Sequence, residues 1–467
     1  MSRLSRWSNS LPLVSLTKQR LHQLALGLLD QGLSVGGMFL VNVALARTQT
    51  KEQYGMFALS YSIFTFLAGL HNAAVLEPFT VYASGRYQAR FATYLRLMMR
   101  SNVLAGLALS AGLLLMCLMF FWIAPSLNSP SLLGLALTVS FILTGSFLRR
   151  SFYVVRQPAL AAKTSLVFFI TVASLLWLAA KAHELNGFSV FLILALGWVV
   201  SGLAFIRKLP FGKLQSAFLD SEPHYWREHW AYTRWVLATA FVFQFTHQGY
   251  YWLLAALLSA KEVGELKAMY VLIAPVEQVT ISLSFLFLPA LAAKYIARNM
   301  ESFLAFWKRY ALLVGGLTLV FAIGVRVFGT WVIHILYAGK FDGLAPLLFL
   351  LALVPLLMGI GNTMGEAIRA AEKPRLVFYA YVSSALATFA IGIPLVKFLG
   401  LRGAAWGMIV SAATYSLALS VAFYLRVYRA GQFANAPARP SRLEEQLSHP
   451  LKSQNSNASM LVEPEGY

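Results

Sequence analysis

The chain is 467 residues long, 58% hydrophobic and only 12% charged, with a formal net charge of +20 and a single cysteine, Cys117. Its mean hydropathy of +0.65 lies far outside the soluble range and excludes an ordinary globular domain. One cysteine excludes an intrachain disulfide, and Cys117 falls in an apolar stretch where packing is its expected role.

Apolar runs of about 20 residues, each enough to cross a hydrocarbon core of about 30 Å, recur along the chain. In chain order the predicted spans are 22–46, 54–76, 97–123, 132–148, 159–180, 187–206, 234–258, 268–292, 309–328, 344–365, 376–398 and 404–425. The sequence thus reads as an all-α polytopic membrane protein of twelve helices. The first span is too long for a signal-peptide core and lacks a small-residue cleavage site, so it is expected to stay in place. Residues 1–21 are predicted as a cytoplasmic N-terminal segment. Residues 207–233, with Pro210, Gly212, Pro223 and mixed charges, are predicted as a cytoplasmic linker between an N-terminal lobe (22–206) and a C-terminal lobe (234–425). The aromatic group Tyr225, Trp226, Trp230, Tyr232 and Trp235 reads as an interfacial anchor. Residues 426–467, rich in Pro, Ser, Asn, Gln and Glu, are predicted as a disordered cytoplasmic tail.

Lys and Arg concentrate in the N-terminus, the even-numbered connections and the C-tail. By the positive-inside rule both termini are expected in the cytoplasm, and the excess charge is expected to lie against anionic lipid; no nucleic acid is expected. The outward connections are short, and the longest, Gly329 to Gly343, is largely apolar. That leaves no outer domain, which counts against polytopic glycosyltransferases, polymerases and ligases, so an enzyme is not expected. Glycines spaced by four, Gly32/Gly36, Gly361/Gly365 and Gly403/Gly407, mark close helix packing.

Internal repetition organises the chain. Gly145–Leu160 and Gly361–Leu376 align without a gap and end on Pro158 and Pro374; Lys51-Glu52, Gly55 and Tyr61 recur as Lys261-Glu262, Gly264 and Tyr270. The offset spans six helices, an even number, so the halves are parallel repeats arranged around a central path.

Charge inside the hydrocarbon costs at least about 2.5 kcal/mol at a helix centre, which makes each intramembrane ionisable group a functional candidate. Asp30 and Gln31 lie near the inner end of span one, and Gln31, Val35, Met38 and Asn42 share a helical face, aimed at a cavity or at a neighbouring helix. For Asp30 two readings stand: a cavity group, or a carboxylate bonded to a basic residue such as Arg20 or one on another helix. His71 and Glu77 lie toward the inner end of span two. Gln244, His247, Gln248 and Tyr251 form a polar stripe on span seven, read as the lining of a hydrated path or as interhelical glue. Glu277, two residues after Pro275, lies near mid-membrane; proton coupling, pairing with Arg326 or His247, and a structural role all remain open. Arg326 is read as a headgroup ligand or a snorkelling side chain. Arg149 and Arg150 are read as topology determinants at the cytoplasmic mouth, with pyrophosphate contact as the alternative. There is no Gly-rich loop ending in Gly-Lys-Ser/Thr, no cysteine pair and no paired histidines, so no cofactor and no metal are expected.

The chain resembles the multidrug/oligosaccharidyl-lipid/polysaccharide (MOP) exporter superfamily, and within it the Wzx-type flippases. The resemblance rests on Leu29-Asp30-Gln31-Gly32 through Leu45-Ala46-Arg47, Lys51-Glu52-Gln53-Tyr54-Gly55 and its echo at Lys261–Tyr270, Leu288-Pro289-Ala290-Leu291, Leu336–Phe341 with Ala345-Pro346-Leu347-Leu348, Arg369–Pro374 and Gly400–Gly407. It implies two six-helix lobes related by a pseudo-twofold normal to the membrane, opening alternately to each side. It implies transport of an undecaprenyl-diphosphate-linked oligosaccharide from the cytoplasmic to the periplasmic leaflet of a bacterial inner membrane, for surface polysaccharide such as lipopolysaccharide or exopolysaccharide. The bilayer, and assembly proteins such as a polysaccharide polymerase, are the partners it implies. The two further spans usual in lipid II flippases of this superfamily are absent. A cation-coupled exporter of drugs or other small molecules, with Asp30 or Glu277 as the coupling acid, is the alternative.

Overall fold

The computed structural model describes residues 18–84, 87–123, 129–211 and 222–429. Most of the expected N-terminal segment, the middle of the expected linker and the expected tail beyond Arg429 lie outside these residues. The main helices are α1 (Lys18–Thr48), α2 (Lys51–His71), α3 (Phe91–Ile123), α4 (Pro130–Val154), α5 (Pro158–Lys181), α6 (Gly187–Phe205), α7 (Glu222–Leu257), α8 (Ala260–Val271), α9 (Ala274–Ile296), α10 (Met300–Tyr337), α11 (Ala345–Ala370), α12 (Pro374–Ala387) and α13 (Ile393–Phe423). Helix α2 runs on through a π turn, Asn72–Leu76, into a short segment, Glu77–Ser84.

Among the described residues these elements group into twelve helical segments, in line with the twelve expected spans. Helices α8 and α9 form one, interrupted just before Pro275. The eleventh and twelfth meet at Gly400, whose left-handed φ of 60° and ψ of −134° break α13; glycine takes this conformation without steric cost. Helix α7 begins at Glu222, inside the segment expected as a linker, and continues unbroken to Leu257. Ten stretches among the described residues are long and apolar enough to cross a membrane, the last of them, Pro374–Tyr428, containing the pair joined at Gly400. Helix α7 is not among the ten, in keeping with the polar side chains Gln244, His247 and Gln248 along it. The protein is an integral membrane protein with an all-helical fold.

Local chemistry sets the helix starts. Thr50 caps α2 in a reciprocal box with Gln53, and Asn186 does the same for α6 with Ser189. Pro158 and Pro374 occupy the first turns of α5 and α12, where a missing N–H leaves no bond unmade. The two corners match in backbone as well: Arg156 and Glu372, two residues before each proline, both adopt φ 59°. The repeat in the sequence is therefore a repeat in conformation.

In the N-terminal half α1 packs on α5, α3 on α4, and α4 and α5 on α6; in the C-terminal half α11 packs on α13, α10 and α9, and α12 packs on α13. Each half is thus a six-crossing lobe. Between them α2 packs on α8 and α7. Because lipid tails are as apolar as the helix surfaces, close packing of small residues carries much of this association. A Cβ on Gly145 would meet the Trp198 ring at 2.7 Å, and one on Gly361 would meet Ser416 Oγ at 2.5 Å, so both helix pairs require a glycine.

Candidate functional site

Two faces of the bundle can be distinguished: a terminal face, where α1 begins and α13 ends, and a distal face carrying the α1–α2, α7–α8 and α10–α11 connections. The lobes are joined at the distal face. Lys51 Nζ donates to Glu265 Oε1 at 2.8 Å, Arg47 donates to the Ile335 carbonyl at 2.7 Å, and Lys340 Nζ donates to the Ala46 carbonyl at 3.0 Å. Beneath these, the two copies of the repeated Lys-Glu segment cross. A Cβ on Gly264 would lie 2.5 Å from the Lys51 carbonyl oxygen, and one on Gly55 would lie closer still to the Ala260 carbonyl oxygen, at 1.7 Å.

Toward the terminal face the lobes stay in contact through α7. Trp252 donates to Ser62 Oγ at 2.9 Å, Gln244 sits where a Gly69 Cβ would be, and Tyr232 donates to Glu77 Oε1 at 3.1 Å. His229 is buried against Tyr82 and Tyr94 of the N-terminal lobe, while Trp230 and Trp235 stay exposed, as an interfacial anchor requires. On the other flank α1 reaches the second lobe chiefly through α8 and α10, and α9 chiefly contacts its own lobe. Among the described residues α1 and α9 do not pack closely on one another, and the space between them toward the terminal face is read as the cleft between the lobes.

Below the distal seal, where α8 meets α2 and α7, stands Lys267. Its ammonium lies 4.3 Å from the Tyr61 ring centroid of α2 and 5.8 Å from that of Tyr251, a geometry in which ring quadrupoles stabilise the cation. It interacts electrostatically with Glu277, whose Oε1 accepts the Tyr270 hydroxyl at 2.7 Å. The sequence had left Lys267 in an outer connection. Ser259 and Glu262 carry the signal that was missed: Ser259 caps the first turn of α8 and donates to the Glu262 carboxylate, so the helix begins at Ala260 and carries Lys267 inward.

Asp30 is buried in the N-terminal lobe. Its carboxylate accepts bonds from Tyr153 at 2.6 Å, from Ser165 at 2.5 Å and from Arg149 at 3.2 Å, and Arg149 also lies over the Trp198 ring. Of the two readings of Asp30, this geometry is that of a carboxylate bonded to a basic residue on another helix. Its neighbour Arg150 is exposed, donates to the neutral Asn72 side chain at 3.3 Å and interacts electrostatically with Glu77 and Asp30. Asn42 donates to the Met38 carbonyl and accepts from Tyr54, and His71 is buried on Asn102, which donates in turn to Thr144. These two are tied into helix packing. Gln31 is partly exposed on α1.

The polar stripe of α7 divides. Gln244 faces α2, Tyr251 faces Lys267, Gln248 is partly exposed, and His247 borders a small cavity inside the C-terminal lobe. Arg326 is exposed on α10 beside the exposed side chains of Val327 and Phe328, and Glu277 is partnered by Tyr270 and Lys267 instead. A second buried cluster escaped the sequence reading. Glu366 pairs with Arg369 at 3.4 Å, and the Tyr415 hydroxyl is hydrogen-bonded to Asn362 at 3.0 Å and to the Tyr381 hydroxyl at 3.2 Å. Tyr153 and Ser165 in one lobe occupy the same repeat positions as Arg369 and Tyr381 in the other, so each lobe holds an ion-pair cluster at the same corner. Among the described residues no group of three or more His, Cys, Asp or Glu side chains could hold a metal.

No protein-family model matches the chain, and no curated protein matches it. Solved structures match over nearly their whole length. An inward-facing MATE-family multidrug resistance transporter of the MOP superfamily superposes with a TM-score of 0.68 at 14% identity, covering 87% of this chain and 96% of that one. The lipid II flippase MurJ in its inward closed conformation gives 0.66 at 13% identity, covering 88% and 89%. An outward-facing MATE-family transporter of the same superfamily gives 0.63 at 11% identity, covering 87% and 96%. At these identities the likeness is one of fold. The chain has the two-lobed architecture shared by these transporters and by MurJ.

Proposed function

We propose that the protein is a flippase that carries a lipid-linked, diphosphate-bearing oligosaccharide across a bacterial inner membrane by alternating access, with its terminal face in the cytoplasm. One observation carries this reading: the buried carboxylates near the cleft are already engaged, and the charge left over is basic. Asp30 is held by Arg149, Tyr153 and Ser165, and Glu277 by Tyr270 and Lys267, whereas Arg150 is exposed, hydrogen-bonds the Asn72 amide and feels Asp30 and Glu77 only at a distance. A drug exporter needs an acidic group free for a cation; a diphosphate needs the reverse, and guanidinium suits its oxygens. The gap between α1 and α9 supports the same reading, since it would let a polyprenyl tail stay in the bilayer while the polar head crosses between the lobes. The distal seal agrees with a resting state open to the cytoplasm, where such substrates are made.

Deletion of the gene is expected to abolish a surface polysaccharide and to cause polyprenyl-diphosphate-linked repeat units to accumulate. Normal glycan export together with sensitivity to cationic drugs would favour the exporter reading instead.

A further inference from the structure

The C-terminal lobe encloses a partly open cavity of about 40 Å³ whose wall includes His247, Tyr250, Tyr270, Tyr381, Ser384 and Ser411. No lysine, arginine, aspartate or glutamate lines it. Most of its hydroxyls are already bonded within the protein: Tyr250 to Ser411 at 2.9 Å, Ser384 to the Ser411 carbonyl at 2.9 Å, Tyr270 to Glu277, and Tyr381 to Tyr415. These bonds fix the wall. His247 differs, because among the described residues its imidazole makes no hydrogen bond and only leans on the Phe243 ring at 4.3 Å. A polar ring on the wall of a partly open cavity, without a protein partner, is a hydrogen-bonding capacity left for whatever enters the cavity.

The chemistry of the wall selects the ligand. A cation would call for a carboxylate, and the nearest, Glu277, is turned to Tyr270 and Lys267. A phosphate would call for a guanidinium or an ammonium. Aromatic faces beside a free imidazole and fixed hydroxyls suit an uncharged polyol, which offers C–H edges to the rings and hydroxyls to the nitrogen. The volume suits a few waters, or the hydroxymethyl or hydroxyl edge of a sugar, and not a whole ring. Tyr270 belongs both to this wall and to the Lys267–Glu277 cluster, which places the cavity beside the region where the lobes meet.

We propose that this cavity is a sugar subsite in which His247 hydrogen-bonds the hydroxyl edge of the first saccharide, while the cationic groups of the cleft hold the diphosphate. The inference rests on the flippase reading, and its test separates the two. Binding of undecaprenyl diphosphate and of an undecaprenyl-diphosphate-linked monosaccharide would be measured on the purified full-length protein in nanodiscs. The wild type is expected to bind the sugar-bearing lipid at least about fivefold more tightly, a difference of roughly one hydrogen bond. His247→Ala is expected to bind the two lipids equally, with affinity for bare undecaprenyl diphosphate unchanged. His247→Gln, which keeps a donor and an acceptor, is expected to restore part of the preference and guards against a misfolded alanine variant. Equal binding of both lipids by the wild type, or a preference that survives His247→Ala, overturns the sugar subsite and leaves the flippase reading standing. Failure of the wild type to bind either lipid overturns the flippase reading and the subsite with it. Loss of a sodium or pH dependence in His247→Ala, with the sugar preference intact, would make the cavity an ion site and likewise overturn the proposal.

Discussion

Gly55 and Gly264, equivalent residues of the two repeats, oppose each other across the lobe interface so closely that a Cβ on Gly55 would fall 1.7 Å from the carbonyl oxygen of Ala260. The obstacle is backbone, so no side-chain rotation relieves it. The segments that record the duplication in the sequence are thus the segments that seal the distal face.

Gly55→Ala is expected to open that seal. Overpacking costs about 1–3 kcal/mol, enough to shift a closed population about tenfold. In a Cys117→Ala background, Tyr61→Cys lies just below the crossing. Its labelling by an impermeant maleimide applied from the distal side is expected to rise about tenfold when Gly55→Ala is added. Unchanged labelling would mean that the glycine contact does not hold the lobes together.

The Lys51–Glu265 pair is partly exposed and contributes less, about 1 kcal/mol. Lys51→Glu alone sets like charges together and is expected to raise distal labelling. Adding Glu265→Lys is expected to return it toward wild type. A double variant no better than the single one would show that the pair does not couple across the lobes.

Asp30 is 2% exposed and holds three donors, so Asp30→Asn leaves Arg149 without a counter-charge in a buried setting. A loss of about 3 kcal/mol is expected, seen as a lower Tm of the detergent-solubilised protein. Arg149→Met in the same chain is expected to recover part of it. An unchanged Tm for Asp30→Asn would mean that the carboxylate is not anchoring the lobe.

Much of this was legible in the sequence. Apolar run length located the crossings, and the Gly145/Gly361 repeat located corners that share even the left-handed turn at Arg156 and Glu372. Residues whose role depends on another helix were less legible. Glu366 looked like the start of an inner connection because α11 runs to Ala370, several residues past the apolar stretch. Its burial comes from packing against α9, α10, α12 and α13, which periodicity within one helix does not reveal. Lys267 was misplaced by reading hydropathy in preference to the Ser259–Glu262 capping signal. The partner of Asp30 could be expected on another helix, but only the fold identifies it as Arg149.

Lys267 is expected to matter for transport more than for folding, since its contacts are two ring faces and one carboxylate where the lobes meet. Lys267→Gln is expected to lower the translocation rate about tenfold or more at unchanged protein level, with Lys267→Arg retaining most of it. Equal loss in both variants, accompanied by poor expression, would mark the residue as structural.

The most direct measurement is translocation itself. The purified protein would be reconstituted into liposomes carrying a fluorescent undecaprenyl-diphosphate-linked oligosaccharide, and label accessible to an external quencher would be followed with time. Rapid equilibration between leaflets is expected with the wild type, and loss of it in Lys267→Gln. Wild-type vesicles no faster than protein-free vesicles, alongside uptake of a cationic dye into the same vesicles, would contradict the flippase reading.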